Sequence, residues 1–186
     1  MRLILASNSP RRRELLARLT ADFSVVPSHV DEKGRGAPPE RVVEVARAKA
    51  RAVGRTERGV IVGADTIVVI DGDILGKPET RDDAEAMLGR LSGRTHSVLT
   101  GLCVRNNEAG EEHTHCEETR VTFRPLDAGE IDAYLDTDEY RDKAGAYAIQ
   151  GAAAKFIAGI DGDYTNVMGL PLCRLTLLLR EVGVRL

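Results

Sequence analysis

Apolar residues are densest between Val60 and Ile70, where β-branched side chains stand on both sides of a short break, Gly63-Ala64-Asp65-Thr66. Apolar positions on both faces predict a central strand covered on both sides. Further strands are predicted over 2–6, 23–26, 95–105 and 112–123. In the long pair, Val98, Thr100, Leu102 and Val104 share one face, as do Thr119, Val121 and Phe123, and the loop over 106–110 joins the two as a hairpin. Apolar spacings of three and four predict helices. The first runs from the turn at Ser7-Asn8-Ser9-Pro10 to about Leu19, with Leu15, Leu16 and Leu19 inward. The second spans 39–53, with Val42, Val43, Ala46, Ala50 and Val53 as its stripe. A third begins behind the cap Thr80, buries Ala84, Met87, Leu88 and Leu91, and stops at Ser92-Gly93. A short one follows Asp127, with Glu130 completing a capping box and Ile131, Tyr134 and Leu135 inward. The last starts at Pro171, turns Leu172, Leu175, Leu178, Leu179 and Val182 inward, and ends at Gly183. Between these, 33–39 is a polar loop and Asp71-Gly72 a hairpin turn. The stretch 138–151 is a substrate-facing loop with a short strand, and Phe156, Ile157 and Ile160 extend the core.

Two charged residues interrupt the apolar pattern. Asp65 sits inside the central strand, where an ionised carboxylate costs several kcal/mol unless it is compensated. Either the strand is exposed there, or Asp65 meets a metal or a basic group, a neighbouring lysine at a bulge being the plainest case. The small Gly63 and Ala64 beside it leave room for a close approach to the backbone. Lys49 falls in the stripe of the second helix, where it either snorkels outwards or points its ammonium into a site.

A third signal is Arg11-Arg12-Arg13 at the start of the first helix. Cations there oppose the helix dipole and need an offsetting partner. Free N–H groups after a strand, two serines and arginines together make a credible phosphate site, against the alternative of a solvated basic turn. His113 and His115 share a strand face without a third ligand, and read as exposed edge histidines.

Length and charge narrow the class. The 186 residues suit one domain over 1–186, with two lobes around a cleft. A formal charge of −3 without a basic run gives no case for nucleic acid, and tryptophan is absent. No run reaches the roughly 18 apolar residues of a membrane span, and the N-terminal apolar run is too short for a signal peptide. Cys103, Cys116 and Cys173 form no CxxC pair, which points to a reducing, cytoplasmic setting without a zinc site.

An anion site, two lysines (Lys49, and Lys77 in Gly-Lys-Pro) and carboxylates at Glu32 and Asp65 are together explained by polyphosphate, Mg²⁺ or Mn²⁺ and a hydrolytic water. No G-x-x-x-x-G-K-[ST] motif occurs, so this is not a P-loop enzyme. The segments Leu5-Ala6-Ser7-Asn8-Ser9-Pro10-Arg11-Arg12, Val30-Asp31-Glu32, Ala46-Arg47-Ala48-Lys49-Ala50, Gly63-Ala64-Asp65-Thr66 and Gly76-Lys77-Pro78 resemble the Maf-like (septum-formation) nucleoside triphosphate pyrophosphatases. So do Leu91-Ser92-Gly93, Asp142-Lys143-Ala144-Gly145-Ala146-Tyr147 with Ile149-Gln150-Gly151, and Val167-Met168-Gly169-Leu170-Pro171. The pieces occur in order and cover nearly the whole chain.

The resemblance implies an α/β fold, a mixed twisted sheet with flanking helices and two lobes around a deep cleft. It implies hydrolysis of a nucleoside triphosphate to monophosphate and pyrophosphate with a divalent metal. It makes Asp65 the proton acceptor, Glu32, Lys49 and Lys77 essential, and Ser7, Ser9 and Arg12 phosphate neighbours, with a homodimer expected. Aspartate is a weak base at neutral pH, so Asp65 as base and Asp65 as a metal ligand beside Glu32 both stay open. Arg11, Thr66 and Gln150 occupy the positions that sort substrates, and this trio is similar to the branch acting on dTTP and UTP. The branch acting on 7-methyl-GTP has tryptophan, glutamine and glutamate there. The rival reading is a nucleotide-binding regulator of cell division with little turnover.

Overall fold

The computed structural model describes residues 2–32 and 34–186. Lys33, the first residue of the predicted polar loop, lies outside them, as does Met1. The elements run β1 (Leu3–Leu5), α1 (Pro10–Ala17), β2 (Ser24–Val25), α2 (Pro38–Val53), β3 (Val60–Ile70), β4 (Asp73–Leu75), α3 (Arg81–Leu91), β5 (Thr95–Asn106), β6 (Glu111–Phe123), α4 (Ala128–Leu135), β7 (Ile157–Asp161), α5 (Tyr164–Met168) and α6 (Leu172–Glu181). The described strands form one mixed sheet in the order β2-β1-β3-β5-β6-β7, with β4 paired to β3. The α/β class, the mixed sheet and the interior place of β3 are as predicted. The chain forms two compact units, one of Met1–Thr66, Thr100–Glu117 and Gly169–Leu186, the other of Ile67–Leu99 and Glu118–Met168.

In the first unit β1 pairs parallel to both β2 and β3, with Leu3 opposite Val60 and Leu5 opposite Val62. The helix α2 starts on Pro38-Pro39, whose fixed φ and missing N–H suit a first turn. Its buried stripe is Val42, Val45, Ala46, Lys49, Ala50 and Val53; Val45 replaces the expected Val43, which is only half-buried. The stripe packs so closely on the sheet that a Cβ at Gly63 or Gly101 would overlap the carbonyl oxygens of Ala46 or Val42. The room beside Asp65 therefore admits a helix of this chain, not a ligand. At the far end of α2 the Asn107 amide donates to Gly54 O (2.8 Å) and Glu57 O (3.0 Å). Glu112 accepts two bonds from Arg51 and one from Arg105. Arg51 first, then Arg105, holds the Glu112 carboxyl below its ordinary range against the opposing effect of burial.

In the second unit β3 and β4 form the hairpin predicted at Asp71-Gly72, and β6 pairs antiparallel with β7. The capping boxes Thr80/Asp83 and Asp127/Glu130 start α3 and α4. Three corrections arise here. The stretch after Tyr140 forms 3-10 turns at Ala144–Ala146 and Ala152–Phe156, not a short strand. Ile160 is exposed, because β7 turns its side chain away from the core. The short helix α5 was not predicted; its Asn166 is fully buried and donates to Val98 O and Thr119 Oγ1, both at 3.0 Å.

An aromatic cluster of His96, Phe123, Tyr147, Phe156 and Tyr134 fills the core of this unit, with edge-to-face contacts. His96 Nε2 lies 2.8 Å from Tyr147 Oη, and its buried Nδ1 has no partner among the described residues. An imidazolium would need acceptors for two N–H groups, and burial accordingly pushes the His96 pKa down to about 4. The unfolded ring titrates at about 6.5, so protons bind the unfolded chain first. Stability from His96 is thus complete above pH 6.5 and declines as pH falls from there towards 4, by at most about 1.4 kcal/mol per unit. Urea midpoints at pH 7.5 and 4.5 are expected to differ less in His96→Gln than in the parent; equal differences would remove His96 as the cause.

Candidate active site

Asp65 is buried in the middle of β3, and Lys49 projects towards it from α2, four residues before Val53. Lys49 does not snorkel. Its Nζ donates to Asp65 Oδ1 at 2.9 Å and reaches Ala64 O at 3.4 Å. The side chain of Glu32, half-exposed in the loop after β2, brings Oε1 to 2.6 Å from the same nitrogen. Asp65 thus has the basic partner that its place in the strand demanded. One ammonium with two carboxylates on it is a cluster drawn from a loop, a helix and a strand.

Arg12 joins this cluster electrostatically. Burial lowers its pKa, while Asp65 and Glu32 favour its charge and Arg11 opposes it. The guanidinium is held by Gly169 O on Nε (2.8 Å) and Thr66 Oγ1 on Nη2 (2.9 Å). Thr66 Oγ1 in turn lies 2.9 Å from Thr100 Oγ1. Gly169 and Thr100 escaped the site reading, although the first stands in a motif noted above and the second interrupts an apolar strand face.

The predicted anion loop is built as expected at its start. Ser9 caps α1, accepting from Arg12 N, with Pro10 in the first turn. Ser7 is buried and its Oγ accepts from Ser9 N at 3.2 Å. A cavity of about 360 Å³ opens beside this loop, lined by Ser7, Ser9, Pro10 and Arg13 among others. Glu32, Lys49 and Asp65 do not line it. Arg11 is half-buried beside it in sequence. The first unit therefore brings together Glu32, Lys49, Asp65, Arg12 and Thr66, with Ser7, Ser9 and Arg11 on the loop that leads into α1. Lys77 and Gln150 belong to the second unit, where both are exposed.

A divalent cation fits the donor set. Among the described residues no group of three or more His, Cys, Asp or Glu forms a ready cage. Magnesium, however, is ordinarily held by one or two carboxylates, with water and substrate phosphates completing its shell. Glu32 and Asp65 are hard oxygen donors that already converge on one positive charge. Each carboxylate has about four acceptor positions, enough for a lysine and a cation together. The edge histidines are not such a site: both are half-buried, with His113 Nδ1 2.9 Å from Glu181 and His115 Nε2 3.1 Å from Glu117.

Fold and cluster define a class first. The chain is similar to the solved Ham1 protein of Staphylococcus aureus, with a TM-score of 0.58 at 14% identity over 98% of this chain and 100% of that one. At that identity the likeness concerns the fold, an α/β sheet with helices about it. The chain belongs to the Maf family: the Maf-like protein family model matches residues 2–182. It is 53% identical to the dTTP/UTP pyrophosphatase of Symbiobacterium thermophilum, over 97% of this chain and 94% of the relative. It is 50% identical to that of Thermococcus gammatolerans, over 97% and 96%.

Proposed function

We propose that the chain hydrolyses nucleoside triphosphates, dTTP and UTP foremost, to the monophosphate and pyrophosphate, using a divalent cation. Membership of the Maf family and near-full-length relatives named dTTP/UTP pyrophosphatase support this reading. The observation that carries it is the clasp of Glu32 and Asp65 on Lys49 Nζ beside Arg12. An anionic substrate needs positive groups and a metal to meet its phosphates, and a positioned carboxylate to meet its water.

In this reading Lys49 fixes the Asp65 carboxylate, so that it faces the reacting phosphate in one orientation. Arg12 and Lys77 bind polyphosphate oxygens, and Ser7 and Ser9 shape the loop that receives them. Glu32 and Asp65 would hold the cation, which offsets phosphate charge and acidifies water when bound. Arg11, Thr66 and Gln150 sort the base, Gln150 offering a donor and an acceptor to a pyrimidine edge. Residues 1–186 act as one catalytic domain, working in the cytoplasm as a homodimer, which light scattering after gel filtration tests. No described helix is long and apolar enough to cross a membrane.

The deciding assay is pyrophosphate release from dTTP, UTP, CTP, 7-methyl-GTP and the other common triphosphates, with Mg²⁺ or Mn²⁺ and with chelator. Release is expected to be fastest from dTTP and UTP and to vanish with chelator. A preference for 7-methyl-GTP would overturn the base assignment. Nucleotide binding without turnover would favour the regulatory reading instead.

A further inference from the structure

Thr66 follows Asp65 on β3, and its single oxygen is already engaged twice. It accepts from Arg12 Nη2 at 2.9 Å and shares a 2.9 Å hydroxyl–hydroxyl bond with Thr100 of β5, which is fully buried. A hydroxyl has one hydrogen and two lone pairs, so one position remains. The second anchor of Arg12 is Gly169 O, at 2.8 Å on Nε. Gly169 has φ of +108°, where a side chain is strained, and a Cβ there would stand 3.3 Å from Thr66 Oγ1 and 3.6 Å from Arg12 Nε. The guanidinium is therefore pinned at two points by groups from β3 and from the turn before α6, with Thr100 of β5 behind Thr66. A long arginine side chain without such anchors loses rotamer entropy whenever it is ordered on a ligand.

We infer that Thr66 and Thr100 are positioning residues that fix Arg12 for the substrate's polyphosphate, so that Thr66 acts on substrate binding through Arg12. The inference rests on the proposed reading that Arg12 takes the polyphosphate. It adds to one of the three sorting positions: Thr66 also sets how firmly any triphosphate is held. Thr100, which no sequence motif singled out, gains a role through Thr66.

Inorganic tripolyphosphate, which carries no base, isolates this effect. Its binding with Mg²⁺ is measured by calorimetry, so the test does not depend on turnover. KM and kcat for dTTP, UTP and CTP are measured in parallel. Thr66→Val keeps the shape and removes the acceptor; it is expected to weaken tripolyphosphate binding about tenfold. KM should rise for all three nucleotides, and kcat should change less. Thr66→Ser restores the hydroxyl and should restore binding. Thr100→Val should shift binding in the same direction by a smaller factor. Unchanged tripolyphosphate binding in Thr66→Val, with an altered ratio of dTTP to CTP, overturns the inference. So does absence of tripolyphosphate binding in the parent protein. A parent that binds tripolyphosphate but releases no pyrophosphate would instead strike the proposed activity, and the calorimetric comparison would still decide this one.

Discussion

Asp65→Asn is expected to reduce pyrophosphate release by about a thousandfold or more, the scale of a lost catalytic carboxylate, while leaving a folded protein. The reason for both halves is the same local geometry. Asn keeps the volume and an oxygen that can accept from Lys49 Nζ, now at 2.9 Å from Asp65, but it loses the charge and the basicity. Lys49 keeps Glu32 as its counter-ion, at 2.6 Å, so the buried ammonium is not stranded. Lys49→Met removes the shared cation instead and leaves Asp65, a buried carboxylate, uncompensated. Breaking a buried pair in that way costs about 3–5 kcal/mol, so this variant should lose stability as well as turnover. Circular dichroism melts beside the pyrophosphate assay distinguish the two. Full activity in Asp65→Asn would remove the central strand from the chemistry.

Gly101→Ala should lower the melting temperature by about 10 °C, with Gly63→Ala similar. In both, the new Cβ meets a backbone carbonyl of α2, at Val42 or Ala46. A flexible side chain could swing away; a hydrogen-bonded helix backbone cannot. Overpacking of this kind costs about 3 kcal/mol, which a domain of this length converts to roughly that shift. Gly89→Ala is the matched control. It lies in α3 with nothing within 4 Å of the added methyl, and alanine in place of glycine in a helix should stabilise by about 0.5–1 kcal/mol. A fall in Gly89→Ala as large as in Gly101→Ala would show that the close approach of α2 is not the cause. Because Lys49 rides on α2, the Gly101 and Gly63 variants should also reduce activity in the fraction that remains folded.

Much of this molecule was legible before its structure. The central strand, the hairpin at Asp71-Gly72, the helix starts at Ser9, Thr80 and Asp127 and the stripe of α6 are all present. These features depend on residues at most four apart in sequence, through caps and the periods of helix and strand. The demand that Asp65 find a compensating charge was equally local, since it follows from a carboxylate among β-branched neighbours. What failed locally is also instructive. Within 138–151 the small and apolar residues read as a loop with a short strand, yet the chain makes 3-10 turns at Ala144–Ala146 and Ala152–Phe156.

The sequence by itself determined most of the elements, the family and the inventory of charged groups. Only the tertiary structure decided how those groups are joined. Whether Lys49 snorkels or turns inward depends on α2 lying against Gly63 and Gly101, which brings its ammonium to Asp65. Arg12 is held by a carbonyl 157 residues away in sequence and by a hydroxyl 54 residues away, and no spacing rule spans such separations. The physical reason is that short-range order is set by backbone geometry and caps, while the partner of a buried charge is chosen by whichever surfaces close packing brings within hydrogen-bond reach.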